Sequence, residues 1–262
     1  VEQLSPDDAY DLIVVAMRKN QVAAVLPILS AHQQTPNVMF MVNNPSGYGD
    51  WVQAVGRDRL LLGFAGGGGT LEGHVVRYLI THRMQPTMLG ELDGQITDRI
   101  KEIAHTFKQA GFPVTISRNM DAWQKYHVAL VSPIANALYM AGGDRTQLAQ
   151  MPDALHLMVR AMREGFQVLW ALGIPVTPTK FRVWQWLPEP IQVAILRRWI
   201  NTQHFEIVAV RHANAARDEM QRLARDFQDL ARQAAVETPA IDELETYIDL
   251  FRPDHLKTVR TS

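Results

Sequence analysis

The sequence predicts an α/β part with a parallel sheet, followed by an almost wholly helical part. Three observations support this prediction. Short apolar runs alternate with helical segments at first, only helical periodicity follows Asn119, and the pattern changes near Arg118. We therefore predict a first domain over residues 1–118 and a second domain over residues 119–262.

The first part contains apolar runs that are short enough to be buried strands. These runs are Tyr10–Met17, Asn37–Val42 and Arg59–Phe64, with a helix predicted over Val22–Leu29. Apolar strands joined by helices are typical of a parallel sheet that is covered on both faces. The four glycines Gly66–Gly69 lack the pattern of a phosphate-binding loop, so we expect a flexible loop there.

Helical periodicity dominates the rest of the chain. Apolar residues recur at helical spacing from Ile96 to Ala110, and Pro113–Ile116 is compatible with one more short strand. Three apolar faces then predict long helices. These faces are Trp123, His127, Leu130, Ile134 and Leu138; Leu155, Met158, Met162, Phe166 and Leu169; and Ala216, Met220, Leu223, Phe227 and Leu230. Pro133 lies inside the first of these helices and predicts a kink.

The composition argues against several classes of function. The 262 residues carry a formal net charge of -1, which gives no indication of a nucleic-acid partner. The absence of cysteine excludes thiol nucleophiles and disulfides and is compatible with a cytoplasmic protein. No apolar stretch approaches the roughly 18 residues of a membrane span. His204 and His212 lack a paired carboxylate at ligand spacing, so we expect no metal site.

An ordered set of residues suggests a family. Arg18 and Gln21 follow a buried strand, Asn44 precedes the turn Pro45-Ser46-Gly47, and Trp123-Gln124-Lys125 opens a long helix. Near the C-terminus, Ala234–Pro239 is similar to a Gly-Ile/Val-x-x-Pro signature. In this order the residues resemble the ketopantoate reductase (2-dehydropantoate 2-reductase) family over nearly the whole chain. Counting back from Pro239 places Glu219 where that family has its substrate-binding glutamate.

The resemblance implies a fold, a cofactor and roles for individual residues. It implies an N-terminally incomplete Rossmann-type domain, a helical domain like the C-terminal domain of 6-phosphogluconate dehydrogenase, and an NADP-dependent reductase of a 2-keto acid or related carbonyl compound. Lys125 would be the catalytic acid, and Glu219 would bind a polar substrate group or orient the lysine. Arg18, Gln21 and Asn44 would contact NADP, and Asn44 would also contact the substrate.

The chemistry of carbonyl reduction explains why a lysine would be needed. Hydride transfer to the carbonyl carbon leaves charge on the oxygen, which a nearby cation or acid stabilises and protonates. A buried lysine whose pKa is lowered can do both near neutral pH. The alternatives are structural: Lys125 as a solvated lysine at a helix start, Glu219 on a solvated face, and Asn44 as a turn residue. His127, on an apolar face, is expected to be packed.

Two features depart from the family pattern. No Gly-x-Gly-x-x-Gly motif occurs, and we expect the natural chain to extend upstream and to contain it. The family has asparagines four and eight residues after the lysine, where this chain has Ala129 and Pro133. Their loss argues against ketopantoate itself as the substrate. Ser132 and Asn136 lie nearby as candidate replacement contacts.

Several alternatives remain open at this point. The chain could bind a nucleotide without turnover, or it could oxidise a hydroxyl or amine as other members of the wider class do. The preference for NADP over NAD depends on Arg18, with Lys19 beside it. Trp184, Trp186 and Trp199 flank a proline-rich stretch, where packing or a homodimer contact is expected.

Overall fold

The computed structural model describes residues 4–5, 7–80 and 85–250, and the chain divides into two compact units. The first unit extends to Val128 and includes Pro175–Pro178, and the remainder forms the second unit. The division lies within a helix, whereas the sequence pattern places the boundary at Arg118. The difference arises because Met120 and Trp123, at the start of that helix, belong to the apolar core of the first unit.

The first unit is built around a sheet with the strand order β1-β2-β3-β6-β7. Its elements in chain order are β1 (Ile13–Val15), α1 (Lys19–Ala31), β2 (Val38–Met41), α2 (Gly49–Val55), β3 (Leu60–Phe64), β4 (Gly67–Glu72), β5 (Val75–Ile80), β6 (Thr87–Glu91), α3 (Asp98–Gln109), β7 (Val114–Ile116) and the beginning of α4 (Met120–Met140). Strands β1, β2 and β3 pair in parallel, as do β6 and β7, whereas β3 and β6 pair antiparallel. The predicted strands at β1, β2, β3 and β7 are thus confirmed, but β1 is shorter than the predicted run Tyr10–Met17 and its Val14 is exposed.

Strands β2 and β3 are buried on both faces, as their uninterrupted apolar sequences predict. Successive side chains point to opposite faces of a strand. Phe40 therefore joins the core on one face, where its ring stacks on Trp51 of α2 at 4.4 Å between centroids. Met39 and Leu61 join the other face, where they pack with Ile100 of α3. Each such buried side chain contributes about 1.5–3 kcal/mol to folding.

The expectation of a flexible loop at Gly66–Gly69 is wrong. Gly67 begins β4, which pairs antiparallel with β5 in a separate two-stranded sheet. The glycines permit close backbone approach, because a Cβ atom on Gly67 would lie 2.6 Å from the carbonyl oxygen of Leu79. A Cβ atom on Gly66 would lie 2.3 Å from the backbone nitrogen of Thr87. Glycine is therefore required here for packing.

All regular elements in the described part of the second unit are helices. It contains the end of α4, α5 (Arg145–Gln150), α6 (Pro152–Ala171), α7 (Lys180–Trp186), α8 (Glu189–Ile200), α9 (Gln203–Phe205), a π-helical turn (Glu206–Val210), α10 (Arg211–Ala215), α11 (Arg217–Ala234) and α12 (Pro239–Leu250). The apolar faces predicted for α6 and α11 are buried. Helix α4 continues from Met120 to Met140 with Pro133 inside it. None of the described helices combines the length and the apolar character needed to cross a membrane.

A carboxylate from α6 caps the start of α12. Oε1 of Glu164 accepts a hydrogen bond from the backbone N–H of Ala240 at 3.0 Å, and Oε2 accepts one from Ile241 at 2.9 Å. The first N–H groups of a helix have no partner within the helix, so this carboxylate satisfies two of them. A negative charge at this end also interacts favourably with the helix dipole. Glu164 therefore fixes α12 on α6.

Candidate active site

Polar side chains of the first unit lie together beyond the carboxyl ends of β1 and β2. Lys19 opens α1 after β1, and its Nζ donates a hydrogen bond to Oδ1 of Asn44, which follows β2, at 2.6 Å. Nδ2 of Asn44 donates to the carbonyl oxygen of Gly47 at 2.6 Å, and Nζ of Lys19 also contacts Oγ of Ser46. Asn44 is buried, so its amide and the ammonium are held in place. Parallel α/β sheets bind ligands at this edge.

The other two residues predicted to contact a cofactor lie at the start of α1. Arg18 is the N-cap residue of that helix, and its backbone N–H donates to Oε1 of Gln21 at 3.3 Å. The Gln21 side chain is exposed and closes the first helical turn. Lys19, the next residue, contacts Asn44. Lys19 was expected only to support the preference for NADP, although its position shortly after a predicted strand was a usable signal.

Lys125 lies in the second turn of α4 and is only 8% exposed. Lysines are rarely buried unless they are paired, and here the ammonium forms an ion pair with Oδ1 of Asp121. The Asp121 side chain remains about half exposed. The alternative of a solvated lysine therefore does not hold for Lys125. Asp121 was not identified from the sequence, although its i,i+4 spacing from Lys125 was a usable signal.

The residue before Lys125 is part of a buried hydrogen-bond network. Nε2 of Gln124 donates to the carbonyl oxygen of Val42 at 3.1 Å and makes a longer contact, 3.5 Å, with that of Gly63. Its Oε1 accepts a hydrogen bond from the hydroxyl of Tyr48 at 2.9 Å. Burial, and secondarily the charge of Asp121, raises the pKa of Tyr48 well above its ordinary value. Tyr48 therefore remains a neutral donor near neutral pH.

His127 packs between aromatic rings of the first unit. Its ring stacks on Trp123 at 5.0 Å between centroids and lies 4.3 Å from the ring of Phe64. This arrangement agrees with the expected packing role. Within the described ranges, no group of three or more His, Asp and Glu side chains could hold a metal ion.

The second unit contains the remaining predicted site residues. Ser132 and Asn136 lie one turn apart on α4, Glu219 lies on α11, and all three are buried. Oε2 of Glu219 is 3.5 Å from Nε2 of His212, which is about half exposed. Glu219 is therefore not on a solvated face. His212 near Glu219 was not foreseen, since the two residues are on different helices.

One atom of this group stands out. No hydrogen-bond partner in the described part of the chain reaches Oδ1 of Asn136, which is buried. One turn further along α4, the hydroxyl of Tyr139 donates to the carbonyl oxygen of Ala213 at 2.6 Å. This part of α4 therefore packs against the segment that leads into α11 and Glu219. A buried acceptor without a donor is costly, which makes it a candidate for ligand contact.

The structure also accounts for Ala129, where the resembled family has asparagine. A Cβ atom on Gly165 of α6 would lie 3.1 Å from Cβ of Ala129, so the two helices approach closely at this point. A larger side chain at position 129 would point into this contact and displace α6. The close packing of α4 on α6 thus explains why position 129 has alanine and not asparagine.

Comparison with known proteins supports the fold. No protein-family model matches the sequence, and a search of curated proteins gives no match. Among solved structures, D-mandelate dehydrogenase, in a complex with NADH and anilino(oxo)acetate, is 15% identical with a TM-score of 0.74 and covers 95% of this chain and 77% of that chain. The 2-dehydropantoate 2-reductase from Geobacter metallireducens GS-15 is 14% identical with a TM-score of 0.74, covering 92% and 77%.

A third similar structure is a dimeric ketopantoate reductase from Staphylococcus aureus. It is 15% identical with a TM-score of 0.68 and covers 94% of this chain and 79% of that chain. The fold is therefore that of ketopantoate reductases and of D-mandelate dehydrogenase, with a Rossmann-type first domain followed by a helical domain.

Proposed function

We propose that this protein is an NADP-dependent oxidoreductase that reduces a 2-keto acid or a related carbonyl compound. The observation that carries the proposal is Lys125, buried in the second turn of α4 and paired with Asp121. A buried ammonium is costly and is expected where its charge is used. The fold, shared with oxidoreductases that act on 2-keto and 2-hydroxy acids, supports the same reaction class.

The residues at the carboxyl edge of the sheet fit a nicotinamide dinucleotide. Lys19 and Arg18 offer positive charge to phosphate groups, and the buried Asn44 offers a fixed amide to a polar ring substituent or to the substrate. We assign Gln21 to the same cofactor contact. The two adjacent cations favour NADP, because its additional phosphate needs a positive partner. When bound, the reduced cofactor supplies the hydride.

Lys125 performs the acid step in this mechanism. Its Nζ donates a hydrogen bond to the substrate carbonyl oxygen, stabilises the negative charge that develops there, and transfers one proton to give the hydroxyl group. Asp121 holds the ammonium before the substrate arrives. Because Asp121 is partly exposed, it also connects Lys125 to solvent, from which the amine regains its proton.

The polar residues of the second unit are assigned to the substrate. Oδ1 of Asn136 and the carboxylate of Glu219 are both hydrogen-bond acceptors. A substrate group that satisfies them is a hydroxyl or an amine, and we assign Ser132 to a further substrate contact. Ala129 and Pro133 replace polar contacts by apolar surface, so we propose a substrate other than ketopantoate itself.

The test uses the purified protein with NADPH and a panel of 2-keto acids with aliphatic, aromatic and hydroxylated side chains. Lys125→Ala should lower kcat by about 100-fold or more, the scale of losing a general acid, and leave NADPH affinity nearly unchanged. Lys125→Arg should not restore activity, because guanidinium does not release its proton near neutral pH. Lys101→Ala, at an exposed lysine of α3, is the control. Unchanged turnover of Lys125→Ala on an accepted substrate would refute the mechanism.

One observation favours a second candidate. D-mandelate dehydrogenase has the same fold, and its structures contain NADH. The same residues would then serve NAD-dependent oxidation of a 2-hydroxy acid, with Lys125 accepting the proton. Rates in both directions, with both cofactors, separate the candidates. A protein that binds dinucleotide but turns over no substrate in either direction would be a nucleotide-binding protein of this fold.

We also propose that the protein forms a homodimer through α6, α7 and α8. These helices expose large apolar side chains, of which Trp186 is 87% exposed. Trp199, by contrast, packs edge-on against Phe205 at 4.8 Å. A fold neighbour is a dimeric reductase. Light scattering after size exclusion should report a dimer for the natural protein and a monomer for Trp186→Glu, whereas a monomeric natural protein would refute this assembly.

A further inference from the structure

We infer that Gln124 and Tyr48 form a positioning pair that fixes Lys125 at the carboxyl edge of β2 and β3. The inference rests on the proposed role of Lys125 and names two residues that act through it. Both side chains are buried, and their partners are distant in sequence. The pair therefore ties the start of α4 to the sheet.

The surroundings dictate the orientation of the Gln124 amide. Its Nε2 faces two backbone carbonyl oxygens, those of Val42 and Gly63. These oxygens only accept hydrogen bonds, so the NH₂ group must point at them and Oε1 must point at Tyr48. The hydroxyl of Tyr48 then has to be the donor, at 2.9 Å. Both polar atoms of the Gln124 amide, Nε2 and Oε1, are thus engaged in hydrogen bonds.

Tyr48 is suited to this task because its ring and its protonation state are both fixed. The ring lies 5.5 Å from that of Trp51, which in turn stacks on Phe40 of β2. Asp121 on α4 is the charged group that acts on Tyr48, and burial, together with the charge of Asp121, raises the pKa of Tyr48. Tyr48 therefore donates its hydrogen bond throughout the working pH range.

The consequence for Lys125 follows from helix geometry. Gln124 is its neighbour in α4, so the contacts to Val42 and Gly63 set both the rotation of this helical turn and its height above the strand ends. Val42 also lies two residues before Asn44, so the same contacts relate Lys125 to the loop that carries Asn44. A displacement of about 1 Å at a reacting group can cost about 100-fold in rate.

The most informative variant is Gln124→Glu. As a neutral acid, the new side chain still donates one hydrogen bond to Val42 and accepts one from Tyr48. As a carboxylate it only accepts, and it would face two carbonyl oxygens. We expect kcat of Gln124→Glu to approach the natural value at low pH and to fall at least about 10-fold below it as the pH rises, with little change in KM. Gln109→Glu, on the exposed end of α3, is the matched control.

Two further variants complete the series. Tyr48→Phe removes the donor and retains the ring, and Gln124→Ala removes the amide. Each should lower kcat by about 10-fold to 100-fold with KM within about 2-fold, because the lysine is displaced while substrate contacts elsewhere remain. Tyr78→Phe, at an exposed tyrosine of β5, is the control for loss of a hydroxyl. If Gln124→Ala does not fold, Tyr48→Phe and Gln124→Glu preserve the shape and decide the question.

A second measurement separates this inference from the proposed function. Acetic anhydride modifies exposed amines, and peptide mass spectrometry gives the rate at Lys125 without any substrate. Tyr48→Phe and Gln124→Ala should increase that rate several-fold over the natural protein, while Tyr78→Phe should not. If the natural protein is active and neither kcat nor the labelling rate changes in these variants, the positioning role is wrong. If the natural protein reduces no keto acid, the proposed function fails, and the labelling rate alone supports or overturns the positioning.

Discussion

Glu245 on α12 gives the sharpest stability prediction. Its carboxyl group contacts the side-chain amide of Gln228 on α11, and burial, together with the charge of Asp242, raises its pKa to about 7 from an ordinary value of 4.5. A group with a higher pKa in the folded state binds its proton more tightly there than in the unfolded chain. Its stabilising contribution is therefore complete below about pH 4.5 and is lost as the pH rises through about 7.

The magnitude follows from the size of this shift. One pKa unit corresponds to about 1.4 kcal/mol, so an increase from 4.5 to about 7 sets a ceiling of about 3 kcal/mol. Glu245 is partly exposed, and solvent screening reduces this value to about 1–2 kcal/mol. Glu245→Gln retains the shape of the side chain and cannot ionise. We compare the free energy of unfolding of Glu245→Gln with that of the natural protein at each pH. The difference in favour of the variant should be about 1–2 kcal/mol larger at about pH 8 than at about pH 4.5.

Urea denaturation of both proteins at several pH values measures this difference directly. Glu243→Gln is a matched control, because it removes a carboxylate from an exposed position on the same helix. Its stability relative to the natural protein should not vary with pH in the same way. If Glu245→Gln and the natural protein show parallel pH dependence, the argument from burial is refuted.

Three other substitutions test separate parts of the structure. Glu164→Ala removes the cap of α12 and should cost about 1–3 kcal/mol in urea denaturation; unchanged stability would contradict the capping role. Gly66→Ala forces a Cβ atom against the backbone of Thr87 and should lower Tm by several degrees, whereas Gly49→Ala, in open space, should not. Asn136→Leu removes a buried acceptor and should stabilise the protein without ligand by about 1 kcal/mol while raising KM; a lower KM would argue against its substrate contact.

The fold could be predicted from the sequence where the spacing of apolar residues matches the buried face of a strand or helix. Strands β2 and β3 and helices α6 and α11 were recognised because their apolar residues recur as each structure requires. Strand β6 was missed because it contains Gly90 and ends in Glu91, which are unusual in a buried strand. Glu91 is accommodated by an ion pair with Arg99 on α3, with Nε at 2.8 Å from Oε1. Such compensation is a tertiary contact that no local pattern reveals.

The site was predictable to a similar extent. Lys125, Asn44 and Glu219 were selected by resemblance, and all three prove to be buried polar residues. The partners that hold them were not foreseen. Tyr48 and Gln124 are 76 positions apart, so only the folded chain brings their side chains together.

The reversal of chain direction at β6 limits the positions at which the sequence can tolerate insertions or deletions. Because β6 and β7 run opposite to β3, the chain leaves β7 far from the carboxyl edge, and α4 must travel back along the sheet. It passes Gly90, which Met120 contacts closely, before Gln124 reaches Gly63. One inserted or deleted residue in this turn would rotate Lys125 by about 100° around the helix axis. Alignments of related sequences should therefore place their gaps outside 117–125, and the turn at Gly73 between β4 and β5 is a more tolerant position for insertions.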